Sequence, residues 1–120
     1  MRILVCGSKH FNNVQVIWDV LDEEPLIKNG PHPTTIIHGC AKGVDTEAGR
    51  YAKCCGYAVE EYPADWEKHG KAAGPIRNKQ MLDEGKPDLV IAFLAKDSRG
   101  TKNMIDQATK ASVLVKVVNI

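Results

Sequence analysis

The chain has 120 residues, 43% hydrophobic and 6% aromatic, which suits one modest core and leaves no room for a second domain. Lys and Arg number 16 against 15 Asp and Glu, a net charge of +1, so a broadly basic nucleic-acid binder is excluded and any polynucleotide contact must be local. Apolar runs fall far short of the roughly 20 residues of a membrane span, and four cysteines without C-x-x-C spacing read as reduced cytoplasmic thiols, with no metal or cofactor expected.

Arg2-Ile-Leu-Val-Cys6 predicts a first strand ending at Gly7-Ser8, and Val14, Ile17, Trp18 and Leu21 follow at helical spacing. Residues 29–33 carry turn chemistry, Thr34 to His38 reads as a second strand, and a helix runs from Val44 to a stop at Gly56. Tyr57 to Tyr62 predicts a third strand. Residues 63–75, punctuated by Pro63, Gly70, Gly74 and Pro75, read as a long loop leading to a helix near Ile76 to Leu82. Asp88 to Leu94 is the most apolar strand and is expected to be central. A helix over about Thr101 to Ala111 and a strand over Val113 to Val118 complete the chain. Alternating strands and helices imply an α/β, Rossmann-like three-layer sandwich, one domain over 1–120, with a five-stranded parallel sheet of probable order 3-2-1-4-5.

In such a sheet a ligand gathers beyond the carboxyl ends of the strands, where the strand order reverses. Gly7-Ser8-Lys9 after the first strand offers close backbone approach, a hydroxyl and a cation, although it is not G-x-G-x-x-G. His38-Gly39-Cys-Ala-Lys42-Gly43-Val-Asp45 places two glycines and a lysine before a helix, a phosphate-sized anion site without the Walker A signature. Here Asp45 is either a helix cap or an acceptor for ligand hydroxyls, and His38 either a structural histidine or a contact. Asp65 and Trp66 stand in the next stretch with Arg77 and Asn78. The indole could stack on a base, and the guanidinium could grip a phosphate. Gly100-Thr101 at the last helix start suits an anion, with Thr101 as a plain cap the alternative. Trp18 and Phe11 could serve the core or a self-association surface.

Gly7-Ser8-Lys9, His38 through Asp45, and Pro63-Ala-Asp-Trp66 through Gly74-Pro-Ile-Arg-Asn78 together resemble the SLOG superfamily of Lonely Guy and DNA-processing protein A relatives, closest to its YspA/CpYpsA-related branch. The resemblance implies a pocket for a nucleotide or nucleotide-derived ligand, with the protein acting as sensor, sequestering protein or effector. Lonely Guy enzymes cleave a nucleotide N-glycosidic bond with an arginine and a glutamate. Arg77 and Met81 fit their first motif, but Met104 stands where the glutamate belongs. A thioether cannot stabilise an oxocarbenium-like state, so that activity is disfavoured unless Asp45, Asp65 or Asp97 supplies the carboxylate. A hydrolase acting on a glycosidic or phosphate bond through Asp45, Asp65 and Arg77 is one alternative. A single-strand binder using Trp66, Lys68, Lys71, Arg77 and Lys79 is another, with extended nucleic acid disfavoured by the charge balance.

Overall fold

A computed structural model describes residues 1–30 and 33–120. Pro31 and His32, part of the turn expected at 29–33, lie outside the described residues. Five strands, β1 (Arg2–Gly7), β2 (Thr35–His38), β3 (Ala58–Glu61), β4 (Leu89–Leu94) and β5 (Leu114–Asn119), form one sheet. All its pairings are parallel, in the order β3-β2-β1-β4-β5. β1 therefore holds the middle, and the very apolar β4 is interior beside it rather than central.

Side chains alternate across the pleat, so each strand feeds two cores. Ile3 and Val5 join Ile36, Ile91 and Phe93 under α1 (Val14–Glu23), α2 (Pro25–Lys28) and α3 (Val44–Cys55). Leu4 and Cys6 join Ile37, Val90 and Ala92 under α5 (Ala73–Gly85) and α6 (Arg99–Lys110). This is the three-layer α/β sandwich that the alternation predicts. Phe11 and Trp18 pack, partly buried, against the first of these cores. Among the described residues no helix is long and apolar enough to cross a membrane, and all four cysteines are free thiols.

Local chemistry sets the helix ends. The Asn13 side chain accepts from Val16 N–H to start α1, and Gly56 at φ 77° stops α3. The short α2, absent from the sequence expectations, begins with Pro25 at its first position. The expected loop over 63–75 is instead mostly helical: α4 (Trp66–His69), a 3-10 turn (Gly70–Ala72), then α5. Pro75 does not stop α5 because it is the third residue of that helix, where a backbone N–H would have no intrahelical partner. At the amino-terminal end of β1 Arg2 donates to the Gly85 carbonyl at the end of α5 and, at 2.6 Å, to Glu60 on β3. The loops at the carboxyl ends of the strands are left to build a site.

Candidate functional site

The chain leaves β1 toward α1 on one face and β4 toward α6 on the other, so a crevice opens between the two loops. The loop from β2 to α3 forms its side. Gly43 takes φ 74° and ψ −122°, a backbone conformation essentially reserved for glycine, and a Cβ there would lie 2.5 Å from the Ser8 carbonyl oxygen. The Lys9 loop thus rests on the Lys42 loop, bringing two exposed lysines onto adjoining segments. Ser8 spends its hydroxyl locally, accepting from His10 N–H at 3.1 Å.

Asp45 is the pivot of this loop. It occupies the second position of α3, so it is not the helix cap: Gly43 is. Its carboxylate is 3% exposed and reaches back over the loop, accepting from Gly39 N–H at 2.9 Å and Ala41 N–H at 3.4 Å, with Gly7 N–H as a further donor. Burial pushes its pKa up to about 6, against the opposing pull of Arg77 and those three N–H groups. Such a carboxylate organises backbone and has little left for ligand hydroxyls.

Arg77, in the second turn of α5, faces the same loop. Its Nη1 donates to the Gly39 carbonyl, and its Nε donates to the Asn78 Oδ1 at 3.1 Å. Gly39 is consequently gripped from both sides, N–H by Asp45 and C=O by Arg77, and a Cβ on it would collide with the guanidinium. Nη2 is left without a protein partner among the described residues, on a side chain that is only half-buried. Buried Asn78 donates through Nδ2 to the Gly100 carbonyl and to Asn103, each at 3.1 Å, which ties α5 to the start of α6. Asn103 and Gln107 extend this polar ladder one helical turn apart, a pairing that sequence reading missed although their i, i+4 spacing signals it.

Ser98, rather than Thr101, stands at the cap position of α6, and Thr101 is buried in its first turn. Nothing lies within 4 Å of where a Gly100 Cβ would be, so the backbone there is open to approach. The equivalent spaces at Gly7 and Gly39 are filled by the protein itself: Val44 and Phe93 close on Gly7, Arg77 on Gly39. Glycine at those two positions admits side chains, not a ligand.

Asp65 is exposed and caps α4, accepting from Lys68 N–H at 3.1 Å. Trp66 is 59% exposed, with its ring edge lying toward Gly74. Lys79 pairs with Asp83 along α5 at 2.5 Å. Met104 is fully buried beside Leu4, Cys6 and Met81 and supplies core, not chemistry.

His38 closes β2 in a buried position, its Nδ1 accepting from Cys40 N–H at 3.0 Å. Burial lowers its pKa and Glu61 opposes that shift. Its Nε2 lies 3.6 Å from Glu61 Oε2. Glu61 and Cys40 are partners that the sequence reading did not select, because only the β2–β3 register sets Glu61 beside His38.

A family model described as YspA, cpYpsA-related SLOG family matches residues 1–69, which include the β1, β2 and α3 loops and the Asp65–Trp66 stretch. Over 119 residues the chain is 36% identical to the Gene 61 protein of Mycobacterium phage D29, covering 95% of this chain and 93% of that protein. Among solved structures, the C-terminal domain of a Pyrococcus furiosus hydrogenase is a distant likeness, with a TM-score of 0.46 and 14% identity over 98% of this chain and 90% of that one. The family match spans more than half of the sequence and includes the β1 and β2 loops on one side of the crevice: the chain belongs to the YspA, cpYpsA-related SLOG family.

Proposed function

We propose that the protein binds a nucleotide-derived small molecule in the crevice beyond the ends of β1, β2 and β4, as a sensor, sequestering protein or effector subunit. The family suggests a nucleotide-related role, and one observation carries the assignment of place. Arg77 is fastened at Nε and Nη1 by Asn78 and Gly39 while Nη2 remains unspent on a half-buried side chain. A guanidinium so held is an anchor for phosphate. Lys9, Lys42 and the open backbone at Gly100 supply further charge and N–H groups around it.

Hydrolysis is the weaker reading. Asp45 is committed to loop N–H groups and Asp65 to its helix cap, so neither of these two stands free as an acid or nucleophile. A single-strand binder would draw on exposed Trp66, whose loss would cost about 1–3 kcal/mol of stacking.

The test is thermal stabilisation against a panel of nucleotides, cyclic dinucleotides and ADP-ribose derivatives. A ligand at 100 times its Kd adds about 2.7 kcal/mol to stability, several degrees in Tm. Arg77→Lys should weaken that ligand by roughly 10–100-fold, the worth of a charge-assisted pair. A panel without any shift would sink the proposal.

A further inference from the structure

We propose that His38, Cys40 and Glu61 form a binding site for a divalent ion of the zinc class, on the β2–β3 side of the loop and apart from Arg77's free nitrogen. The β2–β3 register sets His38 beside Glu61, and Cys40, two residues past the strand, turns back at φ 64°. The three donor atoms lie within 4.8 Å of one another. Glu61 Oε2 is 3.6 Å from His38 Nε2 and 3.7 Å from Cys40 Sγ. Zinc with bonds of about 2.0–2.3 Å to N, O and S spaces its tetrahedral ligands about 3.3–3.5 Å apart, so the two Glu61 distances need to close by only a few tenths of an ångström and the His38–Cys40 pair, within 4.8 Å, by up to about 1.4 Å.

Two other features belong to a site rather than to a chance cluster. α3 presents Gly49 to the imidazole, and any Cβ there would lie 2.9 Å from Nε2, so only glycine lets the buried ring hold this place against the helix. A cleft of about 260 Å³ adjoins the triad, lined also by Thr46, Arg50 and Lys53. It has room for a fourth ligand, and the two cations favour an anionic one. Thiolate, imidazole and carboxylate together select a borderline ion over magnesium or calcium.

Binding has a structural consequence. In the metal-free protein the Cys40 N–H points at Nδ1, which fixes the ring proton on Nε2. An ion at Nε2 displaces that proton and leaves the neutral ring protonated at Nδ1, while the Cys40 thiol releases its proton to solvent. Two N–H groups would then face each other, so the Gly39–Cys40 peptide turns over. Its carbonyl moves to Nδ1–H, the usual outer partner of a metal-bound histidine, and Cys40 leaves its strained left-handed φ. That carbonyl is the one Arg77 holds. Loading the ion therefore releases Arg77 from Gly39, and this link concerns Arg77 whatever it binds.

Cobalt(II) titration of the reduced, metal-stripped full chain tests the site without any nucleotide. One ion per chain should bind with thiolate-to-cobalt absorption in the near ultraviolet, and zinc should displace it. Cys40→Ser should abolish the band, and Glu61→Gln should weaken affinity by at least about tenfold. Cys54→Ser and Cys55→Ser should change nothing. No band at saturating cobalt, a band that survives Cys40→Ser, or one lost with Cys54 or Cys55 would overturn the site. An unmoved Cys40 amide resonance on zinc addition would overturn the peptide rearrangement.

Discussion

Asp45→Ala should cost the fold about 2–4 kcal/mol, because it leaves the buried N–H of Gly39, the part-buried N–H of Ala41 and that of Gly7 without their acceptor. That is a large share of the roughly 5–15 kcal/mol that holds such a domain together. Asp45→Asn keeps an acceptor oxygen and should cost less, about 1–2 kcal/mol. The wild type and Asp45→Asn also differ in pH behaviour. The folded chain titrates Asp45 at about 6, above its ordinary 3.8, so the folded state takes up the proton first. Stability from this group is therefore fully present below the ordinary value and is lost as pH rises through about 6, a span worth about 3 kcal/mol. His38, held neutral by burial, works in the opposite direction below its ordinary 6.5. Glu60, held down by Arg2 and Tyr62, loses its contribution only as pH falls below its ordinary 4.5. Subtracting the Asp45→Asn profile from that of the wild type cancels both, and urea midpoints on either side of pH 6 read the remainder. A flat difference would mean that Asp45 is not the buried acid described here.

Gly43→Ala should lose about 3 kcal/mol or more, combining backbone strain of about 1–3 kcal/mol with overpacking of similar size. The added methyl would meet the Ser8 carbonyl at 2.5 Å and the Lys9 carbonyl at 2.9 Å, backbone atoms that cannot swing aside. Gly56→Ala gives the reference for mild strain. Gly56 also has positive φ, 77°, but its ψ of 19° is left-handed helical and nothing lies within 4 Å of its missing Cβ, so only that strain is paid there, about 1 kcal/mol. The excess loss of Gly43→Ala in chemical denaturation combines the extra strain of its ψ of −122° with the contact between the Lys9 and Lys42 loops. Equal losses would show that neither acts in solution. Gly43→Ala should also weaken any ligand that needs Lys9 and Lys42 side by side.

The strand order was legible because apolar runs at residues 2–6, 34–38 and 88–94 alternate with helical periodicity, and parallel sheets built from such units follow few paths. Residues 63–75 were not legible as helix. Gly70, Gly74 and Pro75 are loop signals in isolation, and only the position of Pro75 within the first turn of α5 makes it harmless. At the site, glycine spacing and the Arg-Asn pair identified segments that do meet: Gly39, Asp45, Arg77, Asn78 and Gly100 form one hydrogen-bonded chain. Their roles were less readable. A glycine that admits an arginine and one that admits a phosphate look alike in sequence, as do a carboxylate that caps a helix and one that holds a loop. Glu61 was invisible for a further reason: its neighbour His38 comes from strand register, not from spacing along the chain.

The fastening of Arg77 has a kinetic meaning. A long side chain usually surrenders rotamer freedom when its ligand arrives, but here Asn78 and Gly39 have already taken it. No slow rearrangement stands between encounter and capture at that nitrogen. Related ligands should therefore be captured at similar speeds, and selectivity among them should be recorded in how long each one stays.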